Sequence, residues 1–114
     1  MVLTNALDAC LIAYPYSTWL EFEKKLSAAP TFDPNIVRIK RLYVAGAMEC
    51  PVDSHGRILI PQSLREHAGI VREVIWSGMI DYVEIWDAER LTEAFKEARD
   101  NASLLGKELA NFGL

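Results

Sequence analysis

The sequence is poor in the residues that would make its chemistry obvious. Among 114 residues there are two cysteines and two histidines. Cys10 and Cys50 form neither a CxxC pair nor a disulfide framework, so they read as buried thiols of a reducing compartment. No apolar run approaches the ~18 residues of a membrane span. The opening MVLTNALDAC carries no basic stretch ahead of its apolar residues, so it does not read as a secretory signal. Cytoplasmic residence is the expectation. GxSxG, HExxH and GxxxxGK[ST] are all missing. Cys50, Asp53 and His55 do not stand at a zinc spacing, and His67 falls on a different element. No catalytic residue, metal ligand or cofactor is therefore assigned, and a hydrolase or metal enzyme ranks last among the readings.

A strong basic excess is also lacking, since the net charge is −4. The distribution says more than the total. Residues 36–72 hold Arg38, Lys40, Arg41, Arg57, Arg65 and Arg72 against three acids, whereas residues 73–114 hold four basic and nine acidic side chains. A basic patch beside an acidic shoulder is expected. Half the chain is hydrophobic and a quarter is charged, which is globular composition for one domain or two small units sharing a core.

Residues 2–7 and 11–14 read as two short strands ending at Tyr14-Pro15. Ser17 is the expected N-cap of a helix whose apolar face carries Trp19, Phe22 and Leu26, and Pro30 stops it. Asp33-Pro34 restarts helix as N-cap and N1 proline, with Arg38 and Arg41 neighbours on its surface. Residues 47–52 and Ile58-Leu59-Ile60 are expected to be strands flanking a turn at Asp53–Arg57. Gln62–Ala68 follows as a short helix closed by Gly69. Val74-Ile75-Trp76 and Tyr82–Trp86 suggest a second hairpin across Gly78–Asp81. Asp87 then caps a long helix bearing Leu91, Phe95, Ala98, Leu105 and Leu109.

The turn is the segment most open to a functional reading. Asp53 can accept backbone N–H groups ahead of it, and Gly56 can take φ > 0, so these two are the turn-forming residues. Arg57 then emerges at the tip or flank of a hairpin. It suits a phosphate or a guanine edge, or simply an ion pair with Asp53. Laying residues 1–29 on 73–101, an offset of 72, aligns Leu3 with Ile75, Leu11 with Val83, Tyr14 with Trp86 and Trp19 with Leu91. Identities are limited to Val2, Glu21 and Lys24, yet the order strand, turn, strand, aromatic, cap and helix recurs. The chain therefore reads as an internal repeat whose first copy is incomplete.

The run Asp53-Ser54-His55-Gly56-Arg57-Ile58-Leu59-Ile60-Pro61 with Leu64-Arg65-Glu66-His67-Ala68-Gly69-Ile70 resembles the second repeat of the MraZ family. Gly78–Asp87 and Leu7–Pro15 with Trp19 extend the likeness over nearly the whole chain. The resemblance implies an α+β fold of two SpoVT-AbrB-type units, small β-barrels of the swapped-hairpin type with packed helices. Residues 1–17 would end the first unit, 18–45 would be connecting helices, 46–89 the second unit and 90–114 a C-terminal helix. The family's first D-x-K-G-R loop has no counterpart here, so the first unit is expected to be incomplete. Implied function is an oligomeric, ring-forming transcriptional regulator, a repressor of the bacterial division and cell-wall gene cluster, nucleoid-associated and bound to promoter repeats in double-stranded DNA. Arg57 is the expected DNA contact, with His55 and Arg65 flanking it. A ring-forming scaffold or protein-interaction module with weakened DNA binding is the alternative.

Overall fold

The computed structural model describes residues 1–114. Strands β1 (Val2–Asn5) and β2 (Leu11–Tyr14) form an antiparallel hairpin with Leu3 opposite Ala13. β1 stops at Asn5, short of the expected residue 7, because Ala6 and Cys10 already close the loop by an N–H to carbonyl bond of 3.1 Å. Helix α1 (Tyr16–Ser27) starts two residues earlier than the sequence suggests. Pro15, at φ −57° and ψ 147°, is its N-cap, and no side chain caps it. The Pro15 carbonyl accepts from Trp19 N–H at 3.1 Å, so Ser17 is already inside the first turn and not the cap.

Trp19 is buried, and the apolar face of α1 is held by aromatics. Tyr14 lies 5.9 Å from Trp19 and 5.8 Å from Tyr82, and Phe22 lies 6.2 Å from Tyr43. Such offset and tilted contacts add to the area these rings bury. Helix α2 (Pro34–Ile39) begins as expected. Asp33 accepts from Asn35 N–H at 2.8 Å and Ile36 N–H at 3.3 Å, with Pro34 opening the helix. It then widens into a π-helical turn, Lys40–Val44, closed by Ala45 N–H on the Lys40 carbonyl at 2.9 Å. β1 holds that turn through side chains: Thr4 Oγ1 donates to the Tyr43 carbonyl at 2.6 Å, and Asn5 Nδ2 to the Leu42 carbonyl at 3.3 Å. Gly46 completes the junction. A Cβ there would stand 2.6 Å from Asn5 Nδ2 and 2.7 Å from the Leu42 carbonyl oxygen.

β3 is only Met48–Glu49, paired with β1. The expected strands at 47–52 and 58–60 are thus mostly unpaired extended chain. Ile58, Leu59 and Ile60 make no backbone–backbone hydrogen bond, although Ile58 and Ile60 pack on the core. Helix α3 (Gln62–Ala68) buries Leu64 and Ala68, and Gly69 at φ 62° closes it in the left-handed region. β4 (Val74–Gly78) and β5 (Val83–Asp87) form the second hairpin. The five strands make one open sheet, in order β3-β1-β2-β5-β4, with β3 and β4 at its edges, not a closed barrel for each unit.

The long final helix is also divided. Asp87 caps α4 (Ala88–Asp100), then Asn101 interrupts before α5 (Ala102–Ala110). Asn101 Nδ2 donates to the Glu97 carbonyl at 2.8 Å, the side-chain competition for backbone that makes asparagine a poor interior residue. Of the expected apolar stripe only Leu91 is buried, while Phe95, Leu105 and Leu109 face solvent. The core proper is two clusters. One joins Leu3, Leu11, Ala13, Cys50, Leu64, Ala68 and Ile85, and the other joins Ala6, Cys10, Ile12, Trp86 and Leu91.

Candidate nucleic-acid interface

The turn between β3 and α3 is built almost wholly by one carboxylate. Asp53 Oδ1 accepts from His55 N–H at 2.9 Å and from Arg57 N–H at 2.8 Å. The backbone closes around the same residue, with Asp53 N–H on the Arg57 carbonyl at 2.8 Å and Gly56 N–H on the Asp53 carbonyl at 3.0 Å. Gly56 sits at φ 76° with nothing within 4 Å of a would-be Cβ, so its requirement is conformational and not steric. The second carboxylate oxygen, Oδ2, pairs with Arg57 Nε at 3.1 Å, the one ion pair of the chain.

The two readings of Arg57 are therefore compatible. The ion pair is present, but it takes only Nε. The arginine side chain remains 73% exposed, and its Nη2 lies 3.4 Å from His55 Nδ1. His55 is also 3.4 Å from Ser54 Oγ. The Arg57 N–H foremost, helped by the His55 N–H and the guanidinium, holds the Asp53 carboxyl below its usual range against the opposing effect of desolvation. That carboxylate engages the guanidinium through Nε alone. What is left is an end-on pair of donors that matches two phosphate oxygens or the O6 and N7 of guanine.

The turn brings together Asp53, His55, Gly56 and Arg57. Arg65 is not part of that network: it is exposed on α3, beside a Gln62–Glu66 hydrogen bond of 3.0 Å. The other residues weighed for chemistry are separately accounted for. His67 Nε2 lies 3.1 Å from the Ala6 carbonyl and ties α3 to the first hairpin loop. Cys50 Sγ is 3.6 Å from the Met48 carbonyl, and no group of three His, Cys, Asp or Glu side chains stands ready to hold a metal ion. No helix is long and apolar enough to cross a membrane.

Sequence reasoning missed how the turn's support continues behind it. Asp87, buried at the start of α4, accepts from Arg90 N–H and from Val71 N–H, both at 3.4 Å, and so anchors the segment after α3. Arg90 in turn lies across Gly69, where a Cβ would come within 2.3 Å of its guanidinium. The N-cap role of Asp87 was visible in sequence. Its reach to Val71 was not, because it crosses from one element to another.

Residues 43–109 match the family described as "MraZ protein, putative antitoxin-like". The chain is 39% identical over 113 residues to the transcriptional regulator MraZ of Pediococcus pentosaceus, covering 99% of this chain and 79% of that protein. The protein of the same name from Caldanaerobacter subterraneus is 41% identical, with the same coverage. That of Moorella thermoacetica is 37% identical over 113 residues, again 99% of this chain and 79% of the relative.

Proposed function

The chain belongs to the MraZ family, and from that premise we propose that it is a DNA-binding transcriptional regulator, a repressor of the bacterial division and cell-wall gene cluster. It acts as a cytoplasmic, nucleoid-associated homo-oligomer, a ring, on repeated promoter sites. The supporting observation is the Asp53–Arg57 turn. Its carboxylate takes Nε of the guanidinium, and the arginine side chain stays largely exposed, with Nη2 beside His55. Arg57 is the proposed contact, with His55 beside it and Arg65 on the following helix. Strand exchange between units belongs to the same reading, and β3 lying against β1 supports it.

One such contact per subunit is weak, but copies in an oligomer reading repeated sites multiply it through effective concentration. Arg57→Ala should therefore lose far more affinity for a multi-site promoter fragment than for a single site, with fold and assembly retained. Arg57→Lys keeps charge without the fork, so non-specific binding should persist while discrimination falls, if the contact is to a base. Each lost phosphate contact should reduce the log–log salt slope by roughly 0.9. Fluorescence anisotropy across a salt series measures both. Unchanged promoter affinity in a folded, assembled Arg57→Ala protein would refute the role. A ring-forming interaction module is the second reading, favoured by the exposed Leu104, Leu105, Leu109 and Phe112 of the C-terminal segment.

A further inference from the structure

Arg57 is held from two sides, and the second of them is a titratable ring. Asp53 Oδ2 takes Nε at 3.1 Å, and His55 Nδ1 stands 3.4 Å from Nη2. Ser54 Oγ approaches the same ring nitrogen, also at 3.4 Å. A guanidinium donates from every nitrogen and keeps its charge, so Nδ1 can meet Nη2 only as an acceptor. An imidazole whose Nδ1 accepts is neutral, with its proton on Nε2. The contact therefore selects a protonation state as well as a pose.

Resting on the reading of this turn as a DNA contact, we infer that neutral His55 is the positioning residue that lets Arg57 discriminate between sequences. One hydrogen bond at Nε leaves the guanidinium plane able to swing about that bond. A second, from Nη2 to the ring, holds the plane. Reading O6 and N7 of one guanine needs two donors in a fixed plane, whereas a phosphate oxygen accepts a cation from many directions. Losing the second bond should therefore weaken sequence discrimination and spare attraction to phosphate.

Proton uptake turns Nδ1 from an acceptor into a donor and sets a second positive charge beside the guanidinium. Imidazoles make this change between about pH 5 and 8. The charged groups facing the ring are Asp53 and Arg57, both of the turn itself, and no hydrogen bond or ion pair reaches the turn from another element. Asp53 stays ionised across that range, because the Arg57 N–H above all holds its carboxyl below the usual values. Arginine keeps its charge throughout. The acid form of the turn thus carries more charge on a fork that the ring no longer holds. It should attract any duplex more strongly and choose among duplexes less well.

Fluorescence anisotropy tests this with a duplex that the protein selects from a random pool, beside a scrambled duplex of equal length and composition. Between about pH 8 and about pH 5.5, the wild type should lose roughly five- to tenfold of its preference for the selected duplex. Affinity for the scrambled duplex should rise, with a log–log salt slope steeper by up to roughly 0.9 per added phosphate contact. His55→Asn puts a non-titrating amide oxygen where Nδ1 stands, so its preference should persist and stay flat with pH. His55→Ala should show the low preference at both values. Carbon-detected NMR relaxation of the Arg57 guanidinium reads the same hold without DNA: ordered at the higher pH, mobile at the lower, and ordered at both in His55→Asn. A wild-type preference that ignores pH, or a His55→Ala protein that discriminates as well as wild type, overturns the positioning role. A selection that recovers no preferred duplex overturns the DNA reading instead. Relaxation then decides the hold by itself, and a guanidinium equally mobile in wild type and His55→Ala at the higher pH overturns it.

Discussion

The two hairpins share a pattern and differ in fate. In β1, Leu3 is fully buried and Thr4 is fully buried beside it, while in β4 Trp76, which faces Ile85 as Leu3 faces Ala13, is 44% exposed. Neither strand is intrinsically more apolar than the other. β1 is covered on its edge by β3 and beneath by the π-helical turn, and β4 has neither cover. Burial in this molecule is set by what a strand's neighbours are, not by its own composition. That is why a tryptophan, the largest apolar side chain, ends at the surface.

The comparison breaks most sharply under truncation of equivalent residues. Leu3→Ala should cost about 2–5 kcal/mol, as for buried leucines in general, measured by urea denaturation. Trp76→Ala, at a half-exposed site, should cost clearly less. Equal losses would mean that both strands belong to one core. Next in size is Thr4→Val. It keeps the shape but removes the 2.6 Å donor from the Tyr43 carbonyl. Leaving that buried carbonyl unpaired should cost about 1–3 kcal/mol, whereas Ser77→Ala, at the equivalent position with no carbonyl to serve, should cost far less.

These differences also mark what the sequence could tell. The Asp53–Arg57 turn, the Asp33-Pro34 helix start, the Gly69 stop and the Asp87 cap were all legible, because each is decided by side chains within a few residues of the backbone they serve. The α+β class came from the resemblance to the MraZ family. The π-helical turn was not legible, since its carbonyls are held by Thr4 and Asn5, which are distant in the chain. Ile58-Leu59-Ile60 has strand character, but a strand needs a partner, and local pattern cannot supply one. At the candidate site the turn residues were readable, and so was the Asp53–Arg57 ion pair. That the pair would use Nε, with Nη2 lying beside His55, could not be read from the sequence.

A third test uses the contact that joins the hairpins. Cys10, in the first loop, places its Sγ 3.7 Å from Glu84 Oε2 on β5, and Trp86 Nε1 donates to the other oxygen of that carboxylate at 3.0 Å. Burial first, then the Glu84 charge, pushes the Cys10 thiol up from 9.0 to about 12. A folded-state value above the unfolded one means the stabilising contribution is complete below pH 9.0 and is lost as pH climbs towards about 12. Burial raises Tyr14 and Tyr43 as well, in the same sense. Unfolding free energy should therefore decline over that alkaline window, and Cys10→Ala should flatten part of the decline. The native thiol should also resist a disulfide reagent at pH 8, where an exposed cysteine would react. Rapid labelling of Cys10 in the folded protein would show the loop to be open.

The smallest effect lies at the tip of the second hairpin. Ile80 is fully exposed at φ 73°, the one non-glycine residue of the chain with positive φ. A β-branched side chain in that region is strained by crowding against its own backbone. The first hairpin avoids the strain with a longer loop: Thr4 faces Ile12 across residues 5–11, whereas Ser77 faces Glu84 across the shorter 78–83. Ile80→Gly removes the Cβ at the point of strain but frees the unfolded chain as well, so the gain should be small. Ile80→Asn, which tolerates the left-handed region without that entropy cost, should do better, raising stability by about 0.5–1 kcal/mol. Thermal unfolding of the two variants beside wild type measures the order. If both are instead destabilised, contacts of the Ile80 side chain at this tip outweigh the strain of its backbone.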